Sequence, residues 1–540
     1  MAIKYALGRR TVLKGATAGV AIGLSRTARA ADEPIVETRQ GKLRGASDGG
    51  VFTFKGVRYG EATGGANRFL PPVPVTPWAG VRDAVDFGAS APQISGSLAP
   101  LFAWYGAIQP ISEDCLFVNV YTPGLGRERR PVMVWLHGGG WSNCAGTAPG
   151  FDGTHLAHGG DVVVVTVNHR LNVFGYLNIG GSDARFADAG NAGVLDMVAA
   201  LRWVHDNAEA FGGDPGNVTI FGQSGGAAKV TALMGMPAAR GLFHKAIVQS
   251  CSGGLHLDGV EESSRQTKAL ATELDMTDVT GPALQAVPMD RLLAATKAIS
   301  DPFRPVLDGR SFQQDPYDLT APSIAEDIPL MIGNAATETT LFLAADMSNF
   351  TLDTAEVERR VARYLQLDEP HTKRVIDVYR SALRDATPSE LLAAIATDYM
   401  YRRNTTRVAE LQARQARAPV FAYVFDWKTP VLGGVLQSPH TLEVPFAFGT
   451  TDAAAALVGS GPDIPKLVQD TMSRWTSFAR NGVPAAPGGV KWTPYDTTGR
   501  STMMLDLQSH LARNPGGEAR QALDDLPYFA YSRPASFVHG

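Results

Sequence analysis

The stretch FGGDPGNVTIFGQSGG, residues 211–226, decides how the rest of the chain is arranged. Val218, Thr219, Ile220 and Phe221 form a short apolar run that stops at Gly222, and from Ala227 the composition turns helix-forming. Gly222-Gln223-Ser224-Gly225-Gly226 therefore falls at a strand-to-helix corner. Its spacing is G-x-S-x-G: a serine on such a strained corner is pushed out of the sheet with Oγ exposed, and small flanking residues let strand and helix cross closely. Ser224 is the candidate nucleophile. With only three fixed positions the pattern also describes an ordinary glycine-rich turn. A base, an acid and an oxyanion site elsewhere in the chain separate the two readings.

Around this corner, residues 131–136 (PVMVWL), 161–168 (DVVVVTVN) and 245–250 (KAIVQS) are continuous apolar runs, not alternating ones. Strands buried on both faces read this way, and the helical stretch 194–211 supplies a strand-helix-strand rhythm. The expectation is an α/β fold with a large, mostly parallel central sheet and helices on both faces. Phe52, Phe54, Val57 and Tyr59 alternate weakly within residues 51–59 and suggest a small N-terminal antiparallel sheet. Residues 340–416 read as helices, with Val357, Val361, Tyr364 and Leu365 on one face and Leu391, Leu392 and Ile395 on another.

His137-Gly138-Gly139-Gly140-Trp141 follows directly on the apolar run ending at Leu136. Three successive glycines expose backbone N–H groups at the carboxyl end of a strand, where α/β sheets hold their ligands, and such donors stabilise the oxyanion of acyl transfer. A phosphate cradle is excluded, because neither G-x-x-x-x-G-K-[ST] nor G-x-G-x-x-G occurs. An HGGG loop ahead of a G-x-S-x-G elbow is the lipase and esterase arrangement.

Residues 1–30 carry Lys4, Arg9, Arg10, Lys14, Arg26 and Arg29 with no acid, a modest apolar core, and Ala28-Arg29-Ala30 as a small-x-small cleavage site. This reads as an export signal, and Arg9-Arg10-Thr11-Val12-Leu13-Lys14 fits the twin-arginine pattern; a general secretory signal with an incidental Arg pair is the alternative. The expectation is a bacterial periplasmic or secreted enzyme, exported by the twin-arginine machinery and cleaved near Ala30. Loss of six positive residues takes the net charge from −4 to −10, so neither a nucleic-acid partner nor an anionic membrane surface is expected. No linker, repeat or low-complexity tract divides residues 31–540, which read as one large domain without a membrane anchor. Three cysteines, Cys115, Cys144 and Cys251, have no zinc-type spacing and read as structural thiols.

With these motifs in view, the chain resembles the type-B carboxylesterases of the carboxylesterase/cholinesterase family, a branch of the α/β-hydrolases. The likeness runs over nearly the whole mature length. It includes Glu113-Asp114-Cys115-Leu116, His137 to Trp141, Asn168-His169-Arg170, Gly190-Asn191, Phe211 to Pro215, the serine elbow, and Trp492-Thr493-Pro494-Tyr495.

The resemblance implies hydrolysis of small carboxylic esters through an acyl-enzyme, with no cofactor or metal. It places the acid at Glu338, beyond the apolar run IPLMIGN at residues 328–334, and the base at His440 in SPHTLEVPFAFG, residues 438–449. His137 becomes a neighbour whose ring orders the glycine loop. The oxyanion donors become the N–H groups of Gly139, Gly140 and Gly225. The helical insertions become part of a gorge wall, which Trp141 and Phe342, and also Trp104 and Leu343, are apolar residues available to line, with core or lid packing the alternative for each. Three departures stand out: Gln223 replaces the usual Glu, Gly225 the usual Ala, and Ala91 the cysteine that pairs with the equivalent of Cys115 in many members, leaving Cys115 an unpaired thiol. Intact Ser224, Glu338 and His440 argue against a catalytically inactive adhesion or scaffold protein of the same fold.

Overall fold

In the computed structural model, which describes residues 33–94, 100–106, 110–180, 183–299, 301–529 and 536–539, the continuous apolar runs become neighbouring strands of one sheet. The order from one edge is His510–Arg513, Ser501–Leu505, Val420–Phe425, Leu330–Ala335, Lys245–Gln249, Gly213–Gln223, Arg130–Leu136, Val163–Val167, Phe117–Thr122, Val51–Arg58 and Ala46–Asp48. Pairing is parallel from Ser501–Leu505 through Val163–Val167 and antiparallel beyond both ends of that block. The expected α/β-hydrolase architecture is borne out. Residues 1–30, read above as an export segment, lie outside the described residues, and from Pro34 onward the chain forms one compact unit.

Side-chain parity along the strands explains why their sequences do not alternate between apolar and polar. Val132, Val134 and Leu136 enter one core with Ile220, Val248, Ile332 and Ala422, covered by Ala192–Asn207, Gly225–Gly235 and Arg403–Arg414. Met133 and Trp135 enter the other with Phe221, Ile247, Met331 and Tyr423, covered by Thr154–Gly160, Glu443–Phe448 and Ile464–Asn481. Both faces are thus dry, and β-branched residues fit the pleat. Trp135 is fully buried, its ring 4.9–5.0 Å from those of Phe151, Phe221 and Phe448. Truncating a side chain of this size in such a site costs about 3–5 kcal/mol.

The small N-terminal sheet forms from other residues than expected. Val51–Arg58 pairs antiparallel with Phe117–Thr122 and extends the large sheet, with a register break between Phe54 and Val57. Phe54 is buried edge-on against Phe211, 5.0 Å between centroids, and this packing draws the strand into the main sheet. The separate small sheet is Ile35–Glu37, Lys42–Arg44 and Val81–Asp83, with one antiparallel and one parallel pair.

The helical insertion builds a third core. Val357, Val361, Tyr364 and Leu365 of Thr354–Leu365 meet Leu391, Leu392 and Ile395 of Pro388–Thr397. A π-helical turn, Asp398–Arg402, follows. No helix among the described residues is long and apolar enough to cross a membrane.

Candidate active site

The strand Gly213–Gln223 ends at Ser224, which stands at φ 59° and ψ −123° ahead of the helix Gly225–Gly235. A non-glycine residue is strained there, and such outliers persist only where their surroundings hold them. The Ser224 N–H donates to Gln249 O at 2.8 Å and its carbonyl accepts from Ala228 N–H at 3.1 Å. The crossing is tight: a β-carbon on Gly226 would lie 2.0 Å from Leu136 O. Helix and strand therefore approach only because Gly226 has no side chain.

The strand Arg130–Leu136 delivers the glycine loop to the same corner. Gly139 and Gly140 adopt φ 76° and 60°, and Gly139 O accepts the N–H groups of Ser142 and Asn143, each at 3.2 Å. Gly225 abuts Gly140, since a β-carbon on Gly225 would lie 2.4 Å from the Gly140 nitrogen. The three expected oxyanion residues are thus brought to one place. His137 is buried, stacks on His169 with 4.9 Å between centroids, and meets Gly138 O through Nδ1 at 3.0 Å. Burial and the charge of Lys229 push the His137 pKa well below its ordinary value, so the ring is neutral.

Glu338 follows the strand Leu330–Ala335 and is fully buried. Its Oε1 accepts the Ala335 N–H at 2.7 Å and its Oε2 lies 2.5 Å from His440 Nδ1. Two more bonds zip the loops together: His440 N–H donates to Glu338 O at 3.0 Å, and Thr337 N–H to Ser438 O at 3.0 Å. With Nδ1 committed to the carboxylate, only Nε2 of a neutral ring is left to take a proton.

Gln223, beside Ser224, joins this group. Its Nε2 lies 3.2 Å from each ring nitrogen of His440 and its Oε1 accepts the Tyr105 hydroxyl at 2.8 Å. Ser224 is half-buried, and the His440 ring is bonded to Glu338 and to Gln223. In substrate-free enzymes catalytic hydrogen bonds are often long or poorly aligned and tighten in the substrate complex.

Tyr401, from the π-helical turn, and Phe342 flank the His440 ring at 4.8 and 5.5 Å between centroids. Phe342 is half-buried. Trp141 is 5 % exposed and packs edge-on to Tyr176. Trp104 and Leu343 are core residues: Trp104 packs on Phe151 in one core, and Leu343 belongs to the helical one. A cavity of about 530 Å³ lined by Thr337, Thr340, Glu390, Asp398 and Arg402 adjoins the acid loop, but Ser224, Glu338 and His440 are not in its lining.

Other carboxylates nearby are bound elsewhere. Asp196 takes a bidentate pair from Arg170 at 2.6 and 2.8 Å, both side chains buried. Glu443 accepts from Gln249 Nε2 at 3.2 Å, and burial with the nearby charge of Glu338 raises its pKa. No group of three or more His, Cys, Asp or Glu among the described residues is arranged to hold a metal ion.

The sequence reading missed Tyr105, Tyr401 and Lys229. Tyr105 and Tyr401 reach the site from distant segments and carry no local signal. Lys229 did carry one, as the lone charge in the apolar helix GGAAKVTALMG.

The chain is 35% identical to a para-nitrobenzyl esterase of Bacillus subtilis over 503 residues, covering 91% of this chain and 98% of that protein. It is 35% identical to a phenmedipham hydrolase of Pseudarthrobacter oxydans over 498 residues, covering 89% and 97%. The crystal structure of a Geobacillus stearothermophilus carboxylesterase superposes with a TM-score of 0.80 at 36% identity, covering 90% of this chain and 99% of that one. The carboxylesterase family model matches residues 32–523, so the chain belongs to the carboxylesterase family and is a carboxylic-ester hydrolase.

Proposed function

We propose that Ser224, His440 and Glu338 form the catalytic triad of an exported esterase, with the N–H groups of Gly139, Gly140 and Gly225 as its oxyanion hole. The observation that carries the reading is the 2.5 Å contact between His440 Nδ1 and Glu338 Oε2, at an imidazole reached from the residue next to a strained, half-exposed serine. Nε2 takes the Ser224 proton as Oγ attacks the ester carbonyl, and returns it to the departing alcohol. Glu338 holds the tautomer and stabilises the imidazolium. Water then attacks the acyl-enzyme by the same route. Each oxyanion donor contributes on the order of 3 kcal/mol to transition-state binding.

The substrate is a small ester with an apolar or aromatic group. Half-buried Phe342 offers ring surface beside His440, and two relatives are named for para-nitrobenzyl esters and phenmedipham. Gln223 adds no negative charge for a quaternary ammonium alcohol. A p-nitrophenyl ester assay with fluorophosphonate labelling tests the site: labelling at Ser224 alone, and loss of turnover in folded Ser224→Ala, are expected. More than trace activity in that variant removes Ser224 as nucleophile.

Export by the twin-arginine route to the periplasm or beyond is supported by Arg9-Arg10-Thr11-Val12-Leu13-Lys14. Arg9→Lys with Arg10→Lys should retain precursor in the cytoplasm. Normal export of that variant points to the general secretory route.

A further inference from the structure

Lys229 lies within the helix that starts at the elbow, and its side chain is fully buried. The ammonium donates to His137 O at 2.7 Å and to Gly138 O at 3.4 Å, and sits 5.8 Å from the centroid of the Trp141 ring. The titratable groups that face it are His137 on the glycine loop, His169 on the loop after Val163–Val167, and the Cys144 thiol. Both histidines are held neutral by burial and by Lys229 itself, and burial raises the thiol to about 12. None of these three supplies a negative charge in the resting enzyme.

A buried cation facing only carbonyl dipoles and neutral side chains is costly. It gains when negative charge develops nearby. The Gly138 carbonyl belongs to the same peptide unit as the Gly139 N–H. A cation on that oxygen draws electron density from the amide and makes the N–H a stronger donor, as hydrogen bonds in a chain polarise one another. The interaction is greatest when an oxyanion sits against that N–H, so it favours the transition state over the bound ester.

Resting on the oxyanion hole proposed above, we propose that Lys229 is a positioning residue of the ester hydrolase, acting through the Gly138–Gly139 peptide to strengthen and aim the oxyanion donors. Burial lowers its pKa to about 7. The assistance is present in the protonated form below that value and is lost as pH rises through it. The falling limb this places on kcat/KM belongs to Lys229.

The test compares Lys229→Gln, which keeps a donor without the charge, with Lys229→Arg, which keeps both. The probes are a p-nitrophenyl ester and an aryl trifluoromethyl ketone, which binds as the oxyanion adduct of the serine. In Lys229→Gln, kcat is expected to fall about ten- to a hundredfold, with KM within about threefold and ketone affinity reduced in step with kcat. The falling limb should disappear, and Lys229→Arg should recover most of the loss. If Lys229→Gln keeps kcat and ketone affinity within about twofold, or a folded Lys229→Arg is no better than Lys229→Gln, the proposal is wrong. Should neither variant fold, ketone affinity of the unaltered enzyme decides: weakening as pH rises through about 7 supports the role, and no change there overturns it. Fluorophosphonate labelling of the unaltered enzyme keeps the two readings apart, because failure at Ser224 removes the site itself, whereas failure of the variants removes only Lys229.

Discussion

Gly225 and Gly140 pack backbone against backbone: a β-carbon built on Gly225 would lie 2.3 Å from Gly140 O and 2.4 Å from its Cα. Where the resemblance leads one to expect alanine after the nucleophile, this chain has filled the methyl's place with the glycine loop.

Gly225→Ala, ordinarily a conservative change toward the family pattern, should therefore push Gly140 away from the elbow. Donors displaced by as little as an ångström lose about two decades of rate. A drop in kcat of about ten- to a hundredfold is expected in a protein whose melting temperature changes little. Unchanged or improved kcat would show that the loop gives way freely.

Glu338→Gln keeps the shape of the acid and removes the charge that holds His440 Nδ1. The corresponding Asp→Asn swap in a serine protease loses about four decades of kcat, and a loss of at least about two is expected here with KM nearly unchanged. Asp196→Asn is the contrast. It breaks the buried pair with Arg170, so its main effect should be on stability, about 3–5 kcal/mol by urea unfolding. If Asp196→Asn abolishes kcat in a folded protein while Glu338→Gln does not, the triad must be redrawn.

Gln223→Glu places a carboxylate against an imidazole now 3.2 Å from the amide nitrogen. A second negative charge there favours the protonated ring, which cannot act as base. The acid limb of kcat/KM should move upward by about one pH unit or more. Esters of cationic alcohols should show a lowered KM relative to neutral ones of the same size. A pH profile superimposable on that of the original enzyme would show that position 223 is electrostatically remote from the chemistry.

Glu443 has its pKa raised above the ordinary 4.5, first by burial and then by Glu338. The folded protein therefore keeps a proton that the unfolded chain releases. Stability from this group is complete below 4.5 and declines as pH rises through the neutral range toward the folded value. Glu443→Gln mimics the protonated form, so urea midpoints measured over roughly pH 5 to 8 should fall less steeply than in the original protein. Turnover should stay within about tenfold. An identical slope in the variant would mean that Glu443 is ionised in the fold.

The parts of this molecule legible in its sequence are those set by short-range constraints. The elbow is legible because the backbone at Ser224 tolerates few neighbours, and the central strands because residues such as Val163 to Val167 must be apolar on both sides. The glycine loop is legible because only glycine reaches φ 76° at Gly139 without strain. Residues 51–59 point to a separate small sheet in the sequence but join the large one through Val51–Arg58, since alternation gives which face is buried but not which partner buries it. Contacts such as Tyr105 with Gln223, 118 positions apart, have no local trace at all. The pairing of Glu338 with His440, 102 positions apart, is read from likeness to a family and not from any pattern in the chain between them.

Cys115, Cys144 and Cys251 are buried free thiols in three different parts of the chain, and burial raises all three pKa values, to about 12 for Cys144 and Cys251. A thiol so held has almost no thiolate and does not react with an alkylating reagent until its surroundings open. Each is therefore a clock for its own region. Cys144 times the opening of the segment behind the glycine loop, Cys251 the turn after the strand Lys245–Gln249, and Cys115 the approach to the strand Phe117–Thr122. Mass-resolved alkylation under native conditions would rank those openings directly, with no residue substituted.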